Sequence, residues 1–90
     1  MARWTVRIEA KAEKDLARLG APDRERVLRF LHQRLAELFS PRELGGPLHG
    51  RLSGLWKYRV GDVRVIAELR DEQLLVLVVQ IGNRGHVYRG

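Results

Sequence analysis

The chain contains no cysteine among its 90 residues. That excludes a disulfide scaffold, a thiolate zinc site and a cysteine nucleophile. It also lacks a long apolar run: the longest, Leu74 to Val79, falls far short of the roughly 18–20 residues a membrane helix needs. Met1 to Arg7 offers neither the apolar stretch nor the small-residue cleavage site of a signal peptide. A cytoplasmic protein with no membrane partner is therefore expected. Three scattered histidines without clustered carboxylates supply no metal-ligand set, and no acids are paired for acid–base work. No metal and no cofactor are expected. Repeats, low-complexity tracts and linkers are missing too. Ninety residues fit one domain, 1–90, and 44% hydrophobic with 31% charged residues indicates a globular one.

What the chain has in excess is positive charge. Seventeen basic residues against eleven acidic leave +6, and fourteen of the seventeen are arginine. Arginine holds phosphate through a planar fork of donors, so a polyanionic partner, nucleic acid first, fits this balance. Where the arginines fall decides how far that reading goes.

Thr5 to Ile8 reads as a short first strand. Ala12, Leu16 and Leu19 then follow helical spacing up to Gly20, with Pro22 tolerated in the first turn of a second helix. Val27, Leu31, Leu35 and Leu38 form the apolar stripe of that helix, widened by Leu28 and Phe39. Arg24, Arg26, Arg29, Arg34 and Glu37 lie on its other side and read as a solvated face. Ser40-Pro41 ends it. An irregular, glycine-rich connection runs to Gly54, after which the texture changes to strands. Leu55 to Val60 alternates, Gly61-Asp62 is a two-residue hairpin turn with glycine first, and Val63 to Leu69 alternates again. Asp71-Glu72 makes a second turn. Leu74 to Ile81 is nearly all apolar, as in a strand covered on both faces, and Gly82 to Gly85 reads as a loop before a short terminal segment, His86 to Tyr88. The expected class is α+β: an N-terminal strand, an αα-hairpin, then a small antiparallel sheet with the helices packed on one face.

The hairpin turn sets a register. Val60 faces Val63, Arg59 faces Arg64, Tyr58 faces Val65, Lys57 faces Ile66 and Trp56 faces Ala67. Alternation then collects Trp56, Tyr58, Val60, Val63, Val65 and Ala67 on the side under the helices. Lys57, Arg59 and Arg64 share the opposite side. Two arginines directly opposite each other destabilise a sheet by a few tenths to ~1 kcal/mol, so nothing about folding asks for this cluster. An anion site does. Arg84, in a glycine-flanked loop beside Val63 to Leu69, is placed to join it.

The stretches Leu48 to Gly50, Gly54 to Val65, Val79 to Arg84 and Val87-Tyr88, in this order, resemble the RelE/ParE toxin superfamily, and more narrowly its RelE branch. The likeness spans the chain. It implies a RelE-like fold and a toxin of a type II toxin–antitoxin pair that cuts mRNA in the ribosomal A site, using the 2′-hydroxyl as nucleophile without metal and inhibiting translation. It implies as partners the 70S ribosome with its mRNA, and an acidic, RelB-like antitoxin from the adjacent gene. The family's basic residues map onto Lys57, Arg59, Arg64 and Arg84, with Tyr88 as the nearby aromatic. Arg51, Arg59 and Arg64 are the residues expected to bind RNA phosphate. Where the best-known RelE pattern has two lysines, this chain has Lys57 and Arg59. Val63 stands where relatives carry an aromatic, and Asn83 where many carry lysine or histidine.

Arginine stays protonated near neutral pH, so Arg59, Arg64 and Arg84 are assigned to the phosphate. Lys57 is the first candidate base, because neighbouring cations favour a neutral amine. Tyr88 can orient the 2′-hydroxyl or stack on a base. His86 is the alternative acid or base, while His32 and His49 read as surface residues. Two other readings remain: a ParE-like toxin that inhibits gyrase by binding, and a non-catalytic RNA-binding or inactive homologue.

Overall fold

The computed structural model describes residues 2–83. Strand β1 (Thr5–Ile8) leads into helices α1 (Ala10–Ala17) and α2 (Ala21–Arg29). Gly20 caps α2 in an extended conformation, with Pro22 in the first turn, where its missing N–H costs nothing. The two-residue strand β2 (Gly46–Pro47) precedes the hairpin of β3 (Trp56–Val60) and β4 (Val63–Arg70), and β5 (Leu75–Asn83) completes a sheet ordered β1-β5-β4-β3-β2.

The α+β architecture agrees with the sequence reading, with one correction. The sheet is mixed rather than antiparallel, because β1 runs parallel to β5, Thr5 opposite Leu75 through Ile8 opposite Val78. No hairpin joins those two strands; helices and the rest of the sheet intervene, and a long connection permits the parallel sense. The other neighbours are antiparallel.

One core lies between the helices and one side of the sheet. Ala12, Leu16, Leu19, Val27, Leu31 and Leu35 meet Tyr58, Val63, Val65, Ala67, Val76 and Val78 there. Trp4, unassigned from sequence, belongs to it as well. Its indole N–H donates to the Phe39 carbonyl at 3.3 Å, and the backbone N–H groups of Arg3 and Trp4 both donate to the Ala36 carbonyl.

Three further expectations need correction. Phe39 is not on the apolar stripe; it is 78% exposed. Helix α2 continues through a π turn at Phe30–Arg34 and a 3-10 turn at Leu35–Glu37, and Leu38 is already extended with ψ of 151°. Helical spacing therefore stops counting before Phe39, whose ring faces the Arg3 guanidinium at 5.6 Å. Strand β5 also continues through Gly82 and Asn83, where a loop was expected. It is not covered on both faces: Val76, Val78 and Ile81 are buried, whereas Leu77 and Val79 are half-exposed. On the side away from the core cluster, Leu75 and Ile66 are nevertheless buried.

Candidate nucleic-acid interface

The β3–β4 hairpin builds the site. Gly61 adopts a φ of 62°, the left-handed conformation that a glycine-first two-residue turn requires. The resulting register is the one read from the sequence: Val60 opposite Val63, Arg59 opposite Arg64, Tyr58 opposite Val65, Lys57 opposite Ile66 and Trp56 opposite Ala67. Tyr58, Val60, Val63, Val65 and Ala67 are buried beneath the helices, and Trp56 is half-buried. Lys57, Arg59 and Arg64 consequently share the other side of the sheet.

Arg59 is exposed, and its Nε donates to the Gly61 carbonyl at 3.2 Å. Lys57 and Arg64 are half-buried, and each is engaged by an interaction within the chain. Ile66 lies on this same side and is fully buried, so the cations surround an apolar centre that the alternation argument left out. Glu68, the acidic residue of that side, pairs with Arg70 at 2.6 Å and holds the Arg70 guanidinium above its ordinary pKa through that hydrogen bond. Gly82 stands opposite Arg64 and Asn83 opposite Val63. Strand β5 therefore runs alongside Arg64, one strand removed from Arg59. Arg84, His86 and Tyr88 lie outside the described residues.

Arg51 is exposed in a 3-10 turn at Gly50–Leu52, ahead of β3 rather than on the hairpin. His32 and His49 are exposed, as expected. Among the described residues there is no group of three or more metal-ligating side chains, and no helix is long and apolar enough to cross a membrane.

Two supports behind this surface escaped the sequence reading. The Asp15 carboxylate on α1 accepts the backbone N–H of Ile81 at 3.1 Å and pairs with Lys11 at 3.0 Å. It thereby fixes the end of β5, past the point where β1 stops. Its only trace in the sequence is the Lys11–Asp15 spacing of four. In the connection before β3, Nη1 and Nη2 of Arg42 donate to the two Asp71 carboxylate oxygens, at 2.6 and 3.0 Å, and the Arg42 guanidinium lies 5.9 Å from the Trp56 ring centroid. The pairing holds the Asp71 carboxyl below its ordinary range. Tyr58 donates its hydroxyl to the Pro41 carbonyl at 2.7 Å, and burial raises the phenol's pKa. Pro41 is thus tied to strand β3 through Tyr58, and Asp71 to the connection before it through Arg42.

The hairpin thus carries three cations on the side turned away from the helices. The family described as the ParE toxin of the type II toxin–antitoxin system parDE matches residues 6–88. A toxin RelE from Mycobacterium tuberculosis is 36% identical over 86 residues, covering 96% of this chain and 87% of that protein. The chain belongs to the RelE/ParE family of type II toxins. Among solved structures, the toxin–antitoxin complex RelBE2 of M. tuberculosis superposes with a TM-score of 0.84 at 28% identity, covering 93% of this chain and 94% of that one. The archaeal RelE–RelB complex from Pyrococcus horikoshii superposes at 0.71 and 26%, covering 93% and 98%. The RelE-like fold expected from the sequence is the fold observed.

Proposed function

We propose that this RelE-family toxin is a metal-independent endoribonuclease that cuts mRNA in the A site of the 70S ribosome, in the cytoplasm, and so inhibits translation. One observation carries the reading: Lys57, Arg59 and Arg64 converge on the open side of the hairpin, with Arg59 and Arg64 directly opposed. Opposed arginines cost sheet stability, and a phosphate between them offsets that cost.

In the proposed reaction the 2′-oxygen attacks the adjacent phosphorus and the bond from phosphorus to the 5′-oxygen breaks. The products are a 2′,3′-cyclic phosphate and a 5′-hydroxyl. Arg59 and Arg64, with Arg84, neutralise the charge that builds on the non-bridging oxygens, which is the largest part of catalysis at such a centre. Lys57 takes the 2′-hydroxyl proton and Tyr88 orients that hydroxyl. With Lys57 as the base, His86 in its protonated form is the candidate that gives the leaving 5′-oxygen its proton; the two roles exchange if His86 is the base. Arg51 contributes to holding RNA phosphate. The partner in the resting state is an acidic, RelB-like antitoxin, as the complexes formed by its structural relatives suggest.

Inducible expression in a bacterium, with primer extension on an abundant message, tests this. The wild type should arrest growth and cut inside translated codons, and Lys57→Ala or Arg84→Ala should abolish both. Arrest without cuts, indifferent to these substitutions, would instead support inhibition of gyrase, the activity that the ParE relationship keeps as the second reading.

A further inference from the structure

Past the hairpin turn the molecule carries a second cationic feature, on its helical side. A groove of about 390 Å³ runs between the last turn of α2, the π turn that follows it, and the end of β3. Its floor is Phe30 and Val60; Arg26, Arg29, Gln33 and Arg34 form the rim. The Phe30 ring packs against the ring of Tyr58, with centroids 5.7 Å apart, so it is braced by the core on one side and faces the groove on the other. Among the described residues no carboxylate pairs with Arg26, Arg29 or Arg34. Three arginines of the face expected to be solvated, Arg26, Arg29 and Arg34, thus stand around an aromatic floor.

This groove joins the basic side of the sheet at Gly61. A side chain there would meet the Arg26 guanidinium at 2.7 Å, and Arg59 donates to the Gly61 carbonyl. The Arg26 guanidinium thus lies beside the turn residue whose carbonyl Arg59 binds, and positive charge continues around the edge of the hairpin.

We propose that the groove binds single-stranded RNA flanking the cut, with a base stacked on Phe30 and the adjoining phosphates held by Arg26, Arg29 and Arg34. The inference rests on the ribonuclease reading and extends its substrate surface. An aromatic floor with an arginine rim is what single-stranded RNA recognition uses, stacking giving sequence-tolerant affinity and arginine giving charge. The volume lies within the roughly 300–1,000 Å³ of small-ligand pockets. Gln33 adds a donor and an acceptor for a base edge. An acidic peptide would satisfy the rim. The continuity with Arg59 through Gly61 favours RNA.

The test is fluorescence anisotropy with a short 2′-O-methyl oligoribonucleotide, whose blocked nucleophile prevents cleavage, measured across a salt series. The wild type should bind with a steep salt dependence. Replacing Arg26, Arg29 and Arg34 together by glutamine should weaken binding at least about tenfold at low salt and flatten the log–log slope by about two, given ~0.7 per phosphate on single strands. Phe30→Leu, which keeps the floor apolar, should weaken it about five- to hundredfold through lost stacking. Thermal melts of both variants confirm that they fold. A folded triple variant with wild-type affinity and slope overturns the proposal, as does one that loses an acidic helical peptide while keeping RNA. An Arg59→Gln/Arg64→Gln variant separates the two claims. If that variant loses RNA and the triple variant keeps it, only the groove fails; if the wild type does not bind the oligonucleotide at all, the groove proposal fails, while the nuclease reading is judged by cleavage on programmed ribosomes.

Discussion

At the scale of single residues, Arg59 and Arg64 were legible in the sequence because a two-residue turn leaves no freedom in the register. Once Gly61-Asp62 is recognised, their opposition follows, and the antiparallel pairing of β3 with β4 places them as expected. Asp15 was not legible in this way. Its acceptor role joins it to Ile81, 66 residues away, and no local pattern announces such a contact. Tyr58 was recognisable as core from alternation, but its hydrogen bond to Pro41 was not. That bond makes a prediction. Tyr58→Phe leaves a buried carbonyl without its donor and should cost about 1–2 kcal/mol at pH 8. Burial raises the phenol's pKa in the fold, so the folded state keeps Tyr58 neutral while the unfolded phenol ionises near pH 10. Its contribution is complete below that pH and declines above it. Urea unfolding at pH 8 and above pH 10 should therefore show the gap between wild type and Tyr58→Phe narrowing; a constant gap would contradict the assignment.

Among the elements, the strands and the first helix were legible because period-2 and period-3.6 patterns are local. The end of α2 was not, since a π turn followed by a 3-10 turn leaves Val27, Leu31 and Leu35 in line while taking Phe39 off the stripe. The parallel pairing of β1 with β5 was invisible for another reason: strand sense across a long connection is set by packing rather than by any turn. The glycine-rich connection hides a further constraint. Gly45 has a φ of 71°, and a Cβ there would collide with the Lys57 carbonyl oxygen and come within 2.9 Å of the Trp56 indole nitrogen. Gly45→Ala therefore strains both the connection and strand β3, at a cost of about 2–4 kcal/mol. A thermal melt should show Tm lowered by roughly 10–30 °C. A melt within about 3 °C of wild type would show that the connection is free to shift.

For the molecule as a whole, the excess of arginine becomes intelligible once it is seen where the residues stand. Part of the +6 charge collects on the open side of the hairpin and, around Gly61, on the rim of the α2 groove. Other cations are structural: Arg42 is paired with Asp71, Arg70 with Glu68 and Lys11 with Asp15. Net charge alone could not separate these groups; position does. The central claim is that the cationic hairpin performs RNA cleavage through the 2′-hydroxyl. The most direct measurement supplies the purified toxin with mRNA-programmed 70S ribosomes and reads the new ends by mass spectrometry. The account predicts a 2′,3′-cyclic phosphate and a 5′-hydroxyl, with the single-turnover rate reduced by at least about 100-fold in Arg64→Ala, the scale of losing one transition-state donor. Intact message, or ends produced equally well by Arg64→Ala, would contradict it.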